Sequence, residues 1–177
     1  MENTKNKLSS YEIIFLNKLK QYINSPLYFY GSIQRNDYIK GTSDIDVSIF
    51  TDNESSTMFK LNTFLNLENN KHKTKLKKII LKSKLNNELI YGYKLLYIDT
   101  LNKLRIEFLI YNIKYKTEIL NDHKVKIDIP YYISALLMII KVLYYYLNII
   151  TKEQLKYFKR ILLSTMINHP VDDMILL

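Results

Sequence analysis

Apolar residues recur at helical spacing in four parts of the chain. Ser9 and Glu12 have the spacing of a capping box, and Pro26 marks the end of the helix that they open. Thr151 and Gln154 repeat the capping pattern nearer the C-terminus. The predicted helices cover residues 9–23, 54–67, 130–150 and 151–167.

Strand patterns lie between the first and third of these helices. Residues 27–30 form a short apolar run that ends at Gly31 and is typical of a buried strand. Residues 45–50 are predicted to form a second strand, because apolar and polar side chains alternate along most of it. The polar, basic stretch 69–78 is predicted to be a loop. Further strands are predicted at 79–81, 89–98 and 104–111, the last two forming a hairpin around residues 100–103.

The order of these elements predicts the fold class. One helix, a run of strands interrupted by a second helix, and two final helices favour an α+β arrangement with a small mixed β-sheet and helices packed on it. With 177 residues, the chain is long enough for one domain with a sizeable core. We expect residues 1–128 to form that domain and residues 129–177 to form a C-terminal helical segment packed on it.

Composition and charge narrow the classes of partner. The formal net charge is +9, which favours polyanions such as nucleic acid and nucleotides, or an acidic membrane face. A lysine-rich coding bias explains the same charge equally well. The chain has no cysteine, which excludes disulfides and thiolate metal sites, and its polar N-terminus shows no secretory signal. We therefore expect a cytoplasmic protein.

The most apolar segment, residues 129–150, is long enough to span a bilayer. Lys141 lies near its centre, however, where a charge costs about 2.5–3.5 kcal/mol on insertion scales. Pro130 and several tyrosines also make the segment less apolar than a typical membrane span. We predict a buried core or interface helix that does not enter a membrane and that would supply the contact surface of a homodimer.

Two carboxylates stand close together at Asp44 and Asp46. They alternate with Ile45 and Val47, so a strand would place both carboxylates on one face, about 7 Å apart. Hard oxygen ligands at this separation suit Mg²⁺ or Mn²⁺, and a cation would relieve the repulsion that otherwise raises the pKa of one aspartate. Taken alone, an Asp-x-Asp pair is more often a solvated strand face.

A Gly-Ser pair follows the first predicted strand. Gly31 is one of only three glycines, and because it has no Cβ a phosphate can approach its backbone closely. The backbone N–H groups of this turn and the Ser32 hydroxyl can donate hydrogen bonds to a triphosphate. Arg35 in the same turn is a candidate for a phosphate contact, with a surface role as the alternative. Gly41 is expected to turn the chain toward the aspartates.

The pattern of this region resembles the signature of the DNA polymerase β-like nucleotidyltransferase superfamily. It consists of the pair GS at 31–32, eleven further residues and the run DIDV at 44–47. The run SDID at 43–46 is similar to that of its minimal nucleotidyltransferases and poly(A) polymerase-type enzymes. The resemblance implies an α/β palm fold over residues 1–128. It also implies that the Gly-Ser turn and Ser43 bind the nucleotide, that the two aspartates bind divalent metal, and that a later strand supplies a third acid.

The setting expected for that third acid is an apolar strand. Glu107 lies between Ile106 and Phe108, where a lone carboxylate would be costly to bury without a metal, a basic partner or solvent. Asp99 is the alternative, although its position before a predicted turn also explains it as a strand-end residue. The chain departs from the family's usual pattern by having Glu at this position and Asn36 where many relatives have a turn glycine.

The activity that the resemblance implies is metal-dependent transfer of a nucleoside monophosphate from an NTP to an acceptor hydroxyl, with release of pyrophosphate and with Mg²⁺ or Mn²⁺ as cofactor. We expect the acceptor to be the 3′ end of RNA or DNA. The alternatives are nucleotidylation of a protein or small molecule, and a non-catalytic, antitoxin-like nucleotide-binding partner that dimerises through its apolar C-terminal helix. The lysines of 71–78, with Lys82 and Lys84, would either grip a triphosphate or nucleic acid or lie in a solvated loop.

Overall fold

In the part of the chain that the structure describes, six strands form one β-sheet, and five α-helices precede, separate or follow them along the sequence. The computed structural model describes residues 4, 7–68, 73–83, 87–164 and 175–176. The helices are α1 (Ser10–Ile23), α2 (Glu54–Glu68), α3 (Lys116–Ile127), α4 (Tyr131–Tyr145) and α5 (Lys152–Ser164). The strands are β1 (Tyr28–Tyr30), β2 (Ile45–Thr51), β3 (Lys73–Lys82), β4 (Leu89–Asp99), β5 (Leu104–Asn112) and β6 (Ile175–Leu176).

The sheet is mixed. Its strand order is β1-β2-β5-β4-β3-β6. Strands β2 and β5 are parallel, and every other neighbouring pair is antiparallel. A parallel pair needs a crossover connection, which here contains α2, β3 and β4. The predicted α+β class with a small mixed sheet is confirmed.

Different helices pack on the two faces of the sheet. On one face, side chains of β2, β4 and β5 pack with α1 and α2 into the main hydrophobic core. On the other face, α3 packs through Ile119 against Phe50 and Leu109. The alternation of side chains along β2 and β5 places Asp46 and Glu107 on this second face, beside Phe50 and Leu109. We call it the carboxylate face.

The sequence signals for helix starts are confirmed. The backbone N–H of Glu12 donates to Ser9 Oγ at 3.2 Å, and the Glu12 carboxylate accepts from the Ser9 N–H at 2.5 Å. Thr151 and Gln154 make the same reciprocal pair, at 3.2 and 2.8 Å. Both helices therefore begin where their side chains satisfy backbone N–H groups that have no partner within the helix.

The loop predicted at 69–78 is wrong for its described part. Residues 73–78 belong to β3, which pairs with β4 from Lys73 to Lys82. The lysines remain exposed there, because the strand satisfies its backbone hydrogen bonds while long charged side chains reach solvent. Charge alone therefore does not distinguish a loop from a strand whose outer portion is solvated.

Two of the helices differ from the prediction. Helix α4 ends at Tyr145 rather than at residue 150, because Asn148 adopts a left-handed conformation (φ 51°) and the Ile149 N–H donates to the Leu143 carbonyl. Helix α3 was not predicted, since its segment has no strong apolar stripe. The predicted last turn at residues 165–167 lies outside the described residues.

Over the described residues, no helix by itself combines the length and apolarity needed to cross a membrane. The segments Ile113–Ile127 and Tyr131–Tyr145 meet that requirement of length and composition only as a pair, and the pair is bent by 82° at the break between them.

Candidate active site

Strand pairing brings distant carboxylates together on the carboxylate face. In the parallel register of β2 and β5, Asp46 lies directly beside Glu107, and on its other side Asp46 pairs with Tyr30 of β1. Neighbouring strands are about 4.8 Å apart, so these side chains are adjacent. Asp44 immediately precedes β2 and lies close enough for its charge to act on Asp46. The structure therefore groups Asp44, Asp46 and Glu107.

Two of the three carboxylates form ion pairs. Glu107 Oε1 is 2.7 Å from Lys94 Nζ, and Asp44 Oδ1 is 2.7 Å from Arg105 Nε. Both pairs are partly exposed to solvent. Among the described residues, no cationic side chain makes such a pair with Asp46. The central carboxylate of the group is thus the one without a direct countercharge.

The electrostatics of the group reflect this arrangement. Burial raises the pKa of Asp46 to about 8, and the charges of Glu107 and Asp44 add to the rise. Burial also raises the pKa of Asp44, against the opposing charge of Arg105. The two aspartates therefore resist simultaneous ionisation until a further positive charge joins them.

The Gly-Ser turn lies against the same carboxylates. Gly31 and Ser32 begin a short 3₁₀ turn (Gly31–Gln34) directly after β1. Gly31 has a φ of +70°, and a Cβ at this position would overlap Asp46 Oδ2. Both the backbone conformation and the close approach require glycine. The turn that was predicted to hold phosphates is therefore in contact with the carboxylates predicted to hold metal.

The side chains of Arg35 and Ser43 are engaged elsewhere. The Arg35 guanidinium pairs with Asp37, with Nε 2.8 Å from Oδ1, and also donates to the Lys126 carbonyl at 3.2 Å. Ser43 Oγ accepts from the Ile39 N–H at 3.1 Å. Both residues are mostly buried. The structure uses both side chains to hold the 35–43 loop, although the charge of Arg35 lies close enough to oppose the rise in the pKa of Asp46.

The alternative third acid, Asp99, lies away from the group. Its Oδ1 accepts from the backbone N–H groups of Leu101 and Asn102 at 3.0 and 3.1 Å, and its Oδ2 accepts from Asn102 Nδ2 at 2.7 Å. Asp99 is 1% exposed and closes the β4–β5 turn. By alternation along β4 its side chain points to the face of Tyr97 and Leu95, opposite the carboxylate face.

Comparison with known proteins assigns the chain to a family. Residues 13–167 match the nucleotidyltransferase domain family. The chain belongs to that family. No curated protein matches the chain. The chain is also similar to a solved structure of the polymerase core of TRAMP, an RNA surveillance complex, with 15% identity and a TM-score of 0.47 over 93% of this chain. It spans 55% of the length of that chain.

The family is one of nucleotidyltransferase domains. The three carboxylates are hard oxygen donors, the ligand type that Mg²⁺ and Mn²⁺ prefer. In the described part of the chain, no cluster of three or more His, Asp or Glu side chains is already arranged to hold a metal ion. The raised pKa of Asp46 nevertheless marks a position where added positive charge is favourable.

Some residues that lie near the carboxylates were not revealed by the sequence. Lys152 and Lys159 of α5 lie near enough to oppose the rise in the pKa of Asp44. Burial and the charge of Asp44 raise the pKa of Tyr145, at the end of α4. No local pattern marks these residues, because only the packing of the last two helices brings them to the carboxylates.

Proposed function

We propose that this protein transfers a nucleoside monophosphate from an NTP to an acceptor hydroxyl, with release of pyrophosphate. The observation that carries the proposal is the pairing of Asp46 with Glu107 across two strands, with Asp44 beside them and Gly31 packed against Asp46. This arrangement joins acidic side chains to the Gly-Ser turn. Family membership supports the reaction class.

Asp44, Asp46 and Glu107 would hold Mg²⁺ or Mn²⁺. When bound, the cation neutralises charge on the triphosphate and lowers the barrier to displacement at phosphorus. The chain would supply positioning and proton transfer. Backbone N–H groups at Gly31 and the Ser32 hydroxyl would donate to the β- and γ-phosphates, which fixes the α-phosphorus near the carboxylates.

Glu107 would receive the proton of the acceptor hydroxyl as its oxygen forms a bond to the α-phosphorus. The bond between that phosphorus and the bridging oxygen breaks at the same time, and pyrophosphate leaves with the electron pair. Lys94 and Arg105 are already within 2.7 Å of two carboxylates. With those carboxylates bound to a cation, the two basic side chains would be free to donate hydrogen bonds to the phosphates.

The acceptor we propose is a nucleic-acid 3′ end. The net charge of +9 supports a polyanionic acceptor. A protein or small-molecule hydroxyl would serve the same chemistry, so the test includes these acceptors.

The experiment uses α-³²P-labelled NTPs with Mg²⁺ or Mn²⁺ and, in separate reactions, RNA, DNA or protein acceptors. The proposal predicts label transfer that is lost in D44A/D46A and pyrophosphate release equal to the label incorporated. Label that still transfers in the double variant would overturn the assignment of the site. NTP binding without any transfer would instead identify a non-catalytic nucleotide-binding protein.

A further inference from the structure

Strand β3 divides its lysines between the two faces of the sheet. Its register with β4 pairs Lys75 with Leu96 and Lys77 with Lys94. The register of β4 with β5 pairs Leu96 with Glu107. Because directly paired residues point to the same face, Lys75 and Lys77 stand on the carboxylate face.

The alternation extends along the whole strand. Lys73 shares the parity of Lys75 and Lys77, so these three form what we call the lysine row. Lys78 and Lys82 have the opposite parity and point to the other face. All five side chains are exposed.

The lysine row is a line of like charges. Within the described ranges of the chain, none of its three members forms an ion pair. From Lys73 to Lys77 the row extends over about 13 Å, at about 3.3 Å per residue. The row is longer than a single triphosphate. The regularly spaced phosphates of a nucleic-acid strand, in contrast, can pair with the regularly spaced ammonium groups of the row.

The row also has a fixed position relative to the candidate site. Lys75, Leu96, Glu107 and Asp46 follow one another across β3, β4, β5 and β2. Three strand spacings of about 4.8 Å separate Lys75 from Asp46 by about 14 Å. Leu96 is half-buried and offers apolar surface between the lysines and the carboxylates. A few nucleotides of an extended strand would cover this distance.

We propose that the lysine row binds the phosphodiester backbone of a single-stranded nucleic acid and directs its 3′ end to the carboxylates. The proposal rests on the proposed function, because the bound strand is the acceptor of the transfer. Backbone contacts of this kind are electrostatic and independent of sequence. A single strand can follow the row and bend its terminal nucleotide toward the neighbouring strands of the sheet.

The test measures binding of fluorescein-labelled 20-mers of oligo(U) and oligo(dT) by fluorescence anisotropy, with no NTP present. The variant K75Q/K77Q removes two charges from the carboxylate face. The matched control K78Q/K82Q removes two charges from the opposite face of the same strand. We expect about tenfold weaker binding for the first variant and less than about twofold for the control, with unchanged melting temperatures.

Salt dependence gives a second readout. For single strands, the logarithm of the association constant falls with the logarithm of salt concentration at about 0.7 per phosphate neutralised, so K75Q/K77Q should reduce that slope by about 1.4 and the control should leave it unchanged. Stronger binding of RNA than of DNA would show that the 2′-hydroxyl adds a contact beyond the backbone interaction.

Several results would overturn the proposal. They are equal losses in the two variants, no loss in K75Q/K77Q, no binding by the wild type, preference for a hairpin duplex, or equal competition by polyglutamate of the same charge. Failure of the proposed function is a separate result. A protein that binds the strand through the row but transfers no label keeps the binding surface and loses the transferase assignment.

Discussion

Gly31 brings the Gly-Ser turn into direct contact with Asp46. Its left-handed backbone (φ +70°) excludes most side chains, and its Cα faces the Asp46 carboxylate with no room for a methyl group. Gly41 shares the left-handed backbone (φ +77°), but nothing lies within 4 Å of the position its Cβ would occupy. Substitutions at the two glycines therefore distinguish the effect of backbone strain, which both share, from the effect of the contact with Asp46, which only Gly31 makes.

Replacing either glycine by alanine should cost about 1–2 kcal/mol of unfolding free energy, because an L-residue is strained in this conformation. Only G31A should also displace Asp46, and so reduce nucleotidyl transfer by about tenfold or more beyond the loss in G41A. Urea unfolding and the transfer assay, run on both variants, check this. Equal activities in the two variants would contradict a role for the contact.

His123 is a buried neutral group on the carboxylate face. Its Nε2 is 2.9 Å from Ser48 Oγ, and its ring stacks on Tyr30 with the centroids 4.1 Å apart. Burial lowers the pKa of His123 to about 4, with the charge of Lys126 adding to the effect and that of Asp122 opposing it. The imidazole is therefore uncharged in the folded protein at neutral pH.

This lowered pKa predicts how stability varies with pH. Below about pH 6.5 the unfolded chain protonates His123 while the folded protein does not, so unfolding takes up a proton and stability falls as the pH decreases from about 6.5 to about 4. The contribution approaches about 3 kcal/mol at the acid end of that window. H123Q, which cannot titrate, should show a shallower fall in urea midpoint over this range. An unchanged pH profile in H123Q would contradict the burial of a neutral histidine.

Helix α4 reaches into the loop that leads to the carboxylates. Lys141 is 3% exposed, and its Nζ lies 2.9 Å from Asp37 Oδ2 and 2.6 Å from the Asp37 carbonyl. Arg35 pairs with the same aspartate. Although burial alone would raise the pKa of Asp37, the hydrogen bonds and charges of Arg35 and Lys141 hold it below its ordinary value. Helix α4 is thus tied to the 35–43 loop by a buried charge network.

Breaking one side of this network should be costly. K141M removes the donor to the Asp37 carbonyl and one of the two donors to Ser43 Oγ, and it should lower the unfolding free energy by about 3 kcal/mol. In the double variant D37N/K141M the loss should be smaller than the sum of the single losses by about 1 kcal/mol or more. The exposed Lys156 of α5 supplies the control, since K156M should change stability by less than about 0.5 kcal/mol. Strict additivity in the double-mutant cycle would show that the contact contributes nothing.

The elements differ in how far the sequence predicts them. Capping boxes such as Ser9 with Glu12 are local, so the starts of α1 and α5 could be predicted. The lysine-rich part of β3 could not, because its pairing with β4 outweighs the charge of its side chains. The approach of α5 to Asp44 depends on packing between segments about a hundred residues apart, for which a single sequence has no signal.

Across the whole molecule, three acidic side chains are concentrated on one face of a protein whose net charge is +9. The sequence suggested this grouping, since an acid on a later apolar strand was expected and Glu107 stands beside Asp46 in the sheet. The basic surroundings were less predictable, because Lys94, Arg105 and the lysine row reach that face only through strand register. The face as a whole has the charge pattern of a site for a polyanion and a cation together.

The carboxylates at and beside Asp46 are central to the proposed nucleotidyl transfer. The most direct measurement compares wild type, E107Q and D99N for incorporation of α-³²P-labelled nucleotide in the presence of Mg²⁺. Glutamine keeps the shape of Glu107 but removes its charge, so E107Q should lose about 100-fold or more of the activity. D99N should weaken the β4–β5 turn and lower the melting temperature while most activity remains at permissive temperature. Full activity in E107Q together with its loss in D99N would contradict the account.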